Sequence, residues 1–152
     1  MSDKKGFGYL ISIFILLISS NLFATEYILE SSSSVKSDEI IINESIRSKV
    51  INIERRWTDS LGEFGTGKCH GHVLHKSNEV ILNGFCEMLA SNGDKFWLQL
   101  SRESELGAGI GKVKYLNGTG KYIKFISLEC KYAVKYMNKE INFYRHICNL
   151  PE

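Results

Sequence analysis

Cys69-His70-Gly71-His72, followed by His75, is the part of the chain richest in metal-ligating side chains. On a strand, His70 and His72 would point to one face about 7 Å apart. A structural zinc site takes about four ligands, and the nearest further donors, Asn83 and Glu87, make a poor set. The cysteine has a better use in a disulfide, so the expectation is an exposed histidine face and no bound metal. Gly107-Ala108-Gly109-Ile110-Gly111-Lys112 and Gly118-Thr119-Gly120-Lys121 have the glycine and lysine content of a phosphate loop. Neither completes G-x-x-x-x-G-K-[ST] between a strand and a helix. There is no G-x-S-x-G, and no histidine stands beside a serine or aspartate that spacing would join into a triad. No catalytic residue and no cofactor are therefore expected.

The four cysteines, Cys69, Cys86, Cys130 and Cys148, have a clearer chemistry. An even number in an exported chain reads as disulfides, and four cysteines allow three pairings. A hairpin turning at Ser77-Asn78 sets Cys69 opposite Cys86, Lys68 opposite Glu87, His70 opposite Phe85, Val73 opposite Leu82 and His75 opposite Val80. One face then carries Cys69, Gly71, Val73, Val80, Leu82, Gly84 and Cys86, all small or apolar, which supports the register that the cysteine spacing demands. By elimination Cys130 pairs with Cys148 across a hairpin turning at Asn138-Lys139-Glu140. Direct register there sets Lys131 against Ile147 and Lys135 against Phe143, a conflict that a bulge or a diagonal contact would relieve.

The elements needed to hold these pairs are strands. Ile51, Ile53 and Trp57 alternate with Asn52, Glu54, Arg56 and Thr58 up to a turn at Asp59-Ser60-Leu61-Gly62. After the cystine hairpin and a turn at Ser91-Asn92-Gly93-Asp94, Phe96, Leu98 and Leu100 alternate with Trp97, Gln99 and Ser101. Gly109, Gly111, Val113 and Tyr115 share one side of a further strand, and glycines at period two permit a sharply coiled sheet. Upstream, Ser31-Ser32-Ser33-Ser34 reads as a flexible lead-in with room for one strand near Tyr27, and 38–49 is ambiguous between a strand at Ile40-Ile41-Ile42 and a short helix from Glu44. The expected fold is all-β: an antiparallel meander barrel or a sandwich of seven to eight strands.

Asn117-Gly118-Thr119-Gly120-Lys121-Tyr122-Ile123, preceded by a glycine-rich strand and by Asn92-Gly93-Asp94-Lys95-Phe96, resembles small secreted barrels of the allene oxide cyclase and dirigent kind. It also resembles exported bacterial proteins in which a Gly-Thr-Gly-Lys-Tyr segment leads into the next barrel strand. The resemblance spans Trp57 to Tyr132. It implies a calycin-like barrel with an apolar interior and no assignable catalytic position. The run Lys124-Phe125-Ile126-Ser127-Leu128-Glu129-Cys130 lacks the glycine such proteins repeat there.

Lys4 and Lys5, an apolar run from Gly8 to Ser19, and Leu22-Phe23-Ala24 follow the three-part plan of a cleavable export signal. The run is shorter than the roughly 20 apolar residues of a membrane span, so no stable span is expected after cleavage. The expected organisation is a signal helix over 1–24, a lead-in over 25–49 and a disulfide-stapled β domain over 50–152, in the periplasm or secreted. Without Lys4, Lys5 and Asp3 the balance is 17 basic against 16 acidic side chains, too even for a nucleic-acid partner. The expected function is non-enzymatic binding of a small apolar ligand, with Trp57, Phe96, Leu98, Tyr115 and Tyr132 lining the pocket. The rival from another class is a surface module that binds a protein or glycan through Trp97 and the histidine face. A cyclase- or isomerase-like activity rests on analogy of fold alone.

Overall fold

The computed structural model describes residues 25–105 and 109–150. The segment 1–24 expected to be the export signal, and Gly107 and Ala108 of the glycine-rich run that ends at Lys112, lie outside them. Eight strands follow one another: β1 Glu26–Asn43, β2 Ile46–Asp59, β3 Phe64–Lys76, β4 Glu79–Ala90, β5 Lys95–Glu105, β6 Ile110–Gly118, β7 Glu129–Tyr136 and β8 Ile141–Asn149. Each pairs antiparallel with the next, and β8 returns to β1, so the sheet closes into a meander barrel rather than a sandwich. Closure removes the sheet edges and gives every strand one buried and one wet face. The alternation in β2 is the clearest case: Ile51, Ile53, Arg55 and Trp57 are buried while the residues between them are exposed.

Both disulfides are present. Cys69 and Cys86 face each other directly, Cα atoms 4.0 Å apart, with every neighbouring pair of the hairpin in the expected register. Cys130 and Cys148 are joined with Cα atoms 4.6 Å apart. The β7–β8 hairpin needs no bulge: Lys131 stands opposite Ile147 and Lys135 opposite Phe143, all on the outer wall, where Ile147 and Phe143 are simply left exposed.

Residues 25–49 are not a flexible lead-in. Glu26–Asn43 forms the longest strand of the barrel, hydrogen-bonded to β2 along its length and to β8 from Glu26 to Ser34. The serine run lies within it, with Ser31 and Ser33 facing inward and buried. Serine has little strand preference of its own. Its backbone is held here by neighbours on both sides, so tertiary pairing overrides local composition. Ile40-Ile41-Ile42 is strand, and the short helix considered from Glu44 is absent: Glu44 and Ser45 make the β1–β2 turn.

The two ends of the barrel differ. At one end the Gly118-Thr119-Gly120-Lys121-Tyr122 segment does not run straight into the next strand but forms a 3-10 helix, Gly120–Phe125, across the opening. Tyr122 and Phe125 from this helix are fully buried, with Tyr122 against Phe96 at 4.3 Å and Phe125 against Tyr27 at 4.8 Å between ring centres. Lys121 ties it to the β2–β3 turn by an ion pair with Glu63 at 3.2 Å. At the other end, β8 begins opposite Ser34, so beyond Val35 the first strand pairs with β2 alone, while β2 stays paired with β3 up to Lys76; the wall is tall along β2, β3 and β4 and low at β8. That mouth is open.

Candidate ligand-binding site

All five residues expected to line a pocket are buried inside the barrel. Four of them are packed in its sealed half. Trp57 lies edge-on to Phe96 at 5.4 Å, Phe96 stacks on Tyr115 at 5.6 Å, and Leu98 is buried beside them; Trp57 also donates its indole N–H to the Thr66 carbonyl at 3.0 Å. Tyr132 sits apart, against Tyr144 at 5.2 Å. The structure therefore brings four of the five together as packed core; Tyr132 borders a gap inside the barrel and Trp57 a groove on its outside.

The empty space is in the open half. A cavity of about 930 Å³ occupies the mouth, walled by Val35, Ile51, Ile53, Val73, Val80 and Leu82, with Arg47, Lys49, His75 and Arg102 around it. Below it a gap of about 30 Å³ reaches the barrel centre, lined by Ile51, Ile53, Leu82, Arg55, Arg102, Tyr132, Asn142 and Tyr144. The two spaces share Ile51, Ile53, Leu82 and Arg102, so the gap is the floor of the mouth. A void of that size holds a water molecule or two, or the head of a small ligand.

Sequence reasoning passed over the residues at this floor. Register sets Arg55 opposite Ser33, and Ser33 opposite Asn142, one inward row across β2, β1 and β8. Arg55 is 5% exposed, Ser33 3% and Asn142 2%. Arg55 donates to the Ser31 hydroxyl at 3.4 Å and lies 4.0 Å over the Tyr144 ring. Its Nε, the Ser33 Oγ and the Asn142 Oδ1 are buried with no hydrogen-bond partner, and among the described residues no carboxylate pairs with it. Burial lowers the guanidinium's proton affinity, while the nearby tyrosines oppose that. A buried cation without a counter-ion is costly to hold, and orphaned polar atoms in one row ask for a partner. The signal was in the sequence: Arg55 has the parity of Ile53 and Trp57.

Next to this row, His146 is fully buried between two tyrosines. Its Nε2 is 3.0 Å from the Tyr115 hydroxyl and its Nδ1 3.1 Å from the Tyr144 hydroxyl. Burial, reinforced by Arg55, lowers its pKa to about 3, so the ring is neutral and one tyrosine donates while the other accepts. The surface histidines have local partners: His72 meets Ser48 at 2.8 Å and His70 meets Asn52 at 2.6 Å across to β2. His75 instead turns toward the mouth, so the three do not share a face. Trp97 lies on the outer wall and donates to Glu87 at 3.1 Å.

No family model matches the chain, and no curated protein matches it in sequence. Solved structures do match in fold. A protein with unknown function from Clostridium acetobutylicum ATCC 824 superposes with a TM-score of 0.66 at 9% identity, over 82% of this chain and 98% of that one. A conserved protein of unknown function from Rhodopseudomonas palustris gives 0.61 at 5% identity, over 82% and 96%. An enzyme from Penicillium herquei gives 0.55 at 10% identity, over 81% and 96%. At these identities the likeness is one of fold: an eight-stranded antiparallel barrel that covers nearly the whole of each neighbour.

Proposed function

We propose that this chain is an exported, non-enzymatic barrel that binds a small, largely apolar molecule in the open half of its interior. The observation that carries the reading is the asymmetry of the barrel. One half is filled by aromatic rings and closed by the 3-10 helix. The other leaves about 930 Å³ bounded by aliphatic side chains with charged ones around them, within the size range of small-molecule sites. The lining of such a site would be Val35, Ile51, Ile53, Val73, Val80 and Leu82 with Tyr132 at its floor, rather than the Trp57, Phe96, Leu98 and Tyr115 cluster. Two disulfides are consistent with an oxidising compartment, and cleavage after Ala24 would leave a single residue ahead of β1.

Thermal-shift measurements over a panel of alkanols, fatty acids and aromatic probes test this reading. The expected result is stabilisation by some of the panel, abolished when Val73→Trp fills the mouth. Indifference of the folded protein to the whole panel would refute it. Recovery from the periplasm of a chain beginning at Thr25 tests export.

One observation favours surface binding as the second reading. The outer wall carries a groove of about 1140 Å³ with Phe64, Leu89 and Phe143 exposed along it. Apolar area of this kind is where a partner protein or glycan would dock. Loss of envelope partners on Phe64→Ser with Phe143→Ser, and their retention on Trp97→Ala, would select the groove over the Trp97 face.

A further inference from the structure

The reading above leaves the ligand's polar end undefined, and the floor of the mouth has a chemistry of its own. Arg55 and Asn142 line the gap, and the Arg55 Nε, the Asn142 Oδ1 and the Oγ of Ser33 between them in register are all buried without a hydrogen-bond partner. The charge around the cavity points the same way. Although the chain is nearly neutral, the described residues lining the mouth include Arg47, Lys135 and Lys139, beside Lys49 paired with Glu39 at 3.6 Å. A basic rim of this kind attracts anions and repels cations.

We propose that the cavity binds an amphipathic carboxylate head-down, its carboxylate seated in the gap against Arg55 and its apolar chain running up the aliphatic wall toward the rim. This rests on the reading of the open half as a ligand site. The anion is the counter-ion that Arg55 lacks. A carboxylate accepts from Nε–H without displacing the bond to Ser31 or the stacking on Tyr144. The gap of about 30 Å³ has room for a group of the size of a carboxylate. From Arg55 to Arg47 along β2 is about 26 Å of strand, roughly 20 Å along the axis of a barrel of ordinary tilt. An alkyl chain seated at Arg55 runs up this β2–β3 side of the wall, above the level at which β8 begins. Val35, Ile51, Ile53, Val73, Val80 and Leu82 offer it no hydrogen-bonding group between the floor and the basic rim.

Calorimetry with dodecanoate, dodecanol and dodecyltrimethylammonium tests the proposal on the whole mature chain. Dodecanoate is expected to bind at least tenfold more tightly than dodecanol, with dodecyltrimethylammonium weakest. Arg55→Met is expected to erase the preference for the acid while leaving dodecanol binding within twofold. A second reading needs no variant: the Arg55 Nε–H resonance of the native protein should shift on adding dodecanoate and stay fixed with dodecanol. Equal binding of acid and alcohol with an unmoved Nε–H resonance would overturn the head-group assignment, water filling the gap, and leave the pocket standing. Failure of all three probes to bind a folded protein would remove the pocket and the assignment together.

Discussion

The guanidinium of Arg55 lies 4.0 Å from the centre of the Tyr144 ring, and the hydroxyl of that ring meets Nδ1 of His146 at 3.1 Å. Tyr144 thus supports a buried cation with its face and a buried neutral imidazole with its edge. The two contributions separate by mutation. Tyr144→Phe keeps the face and loses one buried hydrogen bond, expected to cost about 1 kcal/mol. Tyr144→Leu also removes the cation–π contact and leaves Arg55 poorly solvated, expected to cost roughly 3 kcal/mol. Urea denaturation of the two variants checks the ordering; equal losses would show that the ring face contributes nothing.

His146 makes stability depend on pH in a definite direction. Its pKa falls from 6.5 to about 3 on folding, so the unfolded chain binds the proton more tightly than the native one. Its contribution is therefore fully present above pH 6.5 and is lost as pH falls toward 3. The loss should amount to a few kcal/mol across that window, and His146→Gln should flatten this part of the profile even if it lowers stability at pH 7. A melting temperature as steep in acid for His146→Gln as for the native chain would contradict the assignment.

Each disulfide closes a short loop, with sequence separations of 17 and 18. Loops of this length correspond to about 3 kcal/mol of stabilisation in the chain-entropy model. Cys69→Ala with Cys86→Ala, and the equivalent pair at Cys130 and Cys148, should each lower the urea midpoint by a similar amount. Both bridges lie in the interior with sulfurs buried, so reductant should act slowly on the native protein and rapidly once urea is added.

Two turn positions should respond in opposite directions. Ser77 has φ 53° at the first central position of the β3–β4 turn, where glycine is the preferred residue. Ser77→Gly is expected to stabilise by a few tenths of a kcal/mol. Gly120 has φ 52°, and a Cβ there would run into the Asp94 carboxylate. Gly120→Ala should therefore destabilise by at least about 1 kcal/mol and loosen the 3-10 helix that seals the barrel. Tryptophan emission shifted to the red would report that loosening at Trp57.

Much of the fold was written in alternation. A strand turns successive side chains to opposite faces whatever surrounds it, so the parity of Cys69 through Cys86 defined the first hairpin, its turn and its disulfide, and Ile51, Ile53 and Trp57 defined the inward face of β2. The same rule shows where reading stopped short: Arg55 shares that parity and is buried with them. Local pattern could not recover β1, because Ser31 to Ser34 have no apolar alternation and are strand only through pairing with β2 and β8. It could not tell the sealed half from the open one, since Phe96, Tyr115 and Leu82 are all simply inward residues until the 3-10 helix covers one end.

The sequence by itself determined a β chain with two cystine hairpins and an apolar inner wall, because these follow from period-two placement and nearest-neighbour register. Tertiary structure alone decided that the sheet closes, that one mouth stays open, and that Arg55, Ser33 and Asn142 meet. Those residues are distant in the chain, and only the joining of β1 to β8 brings them into one row.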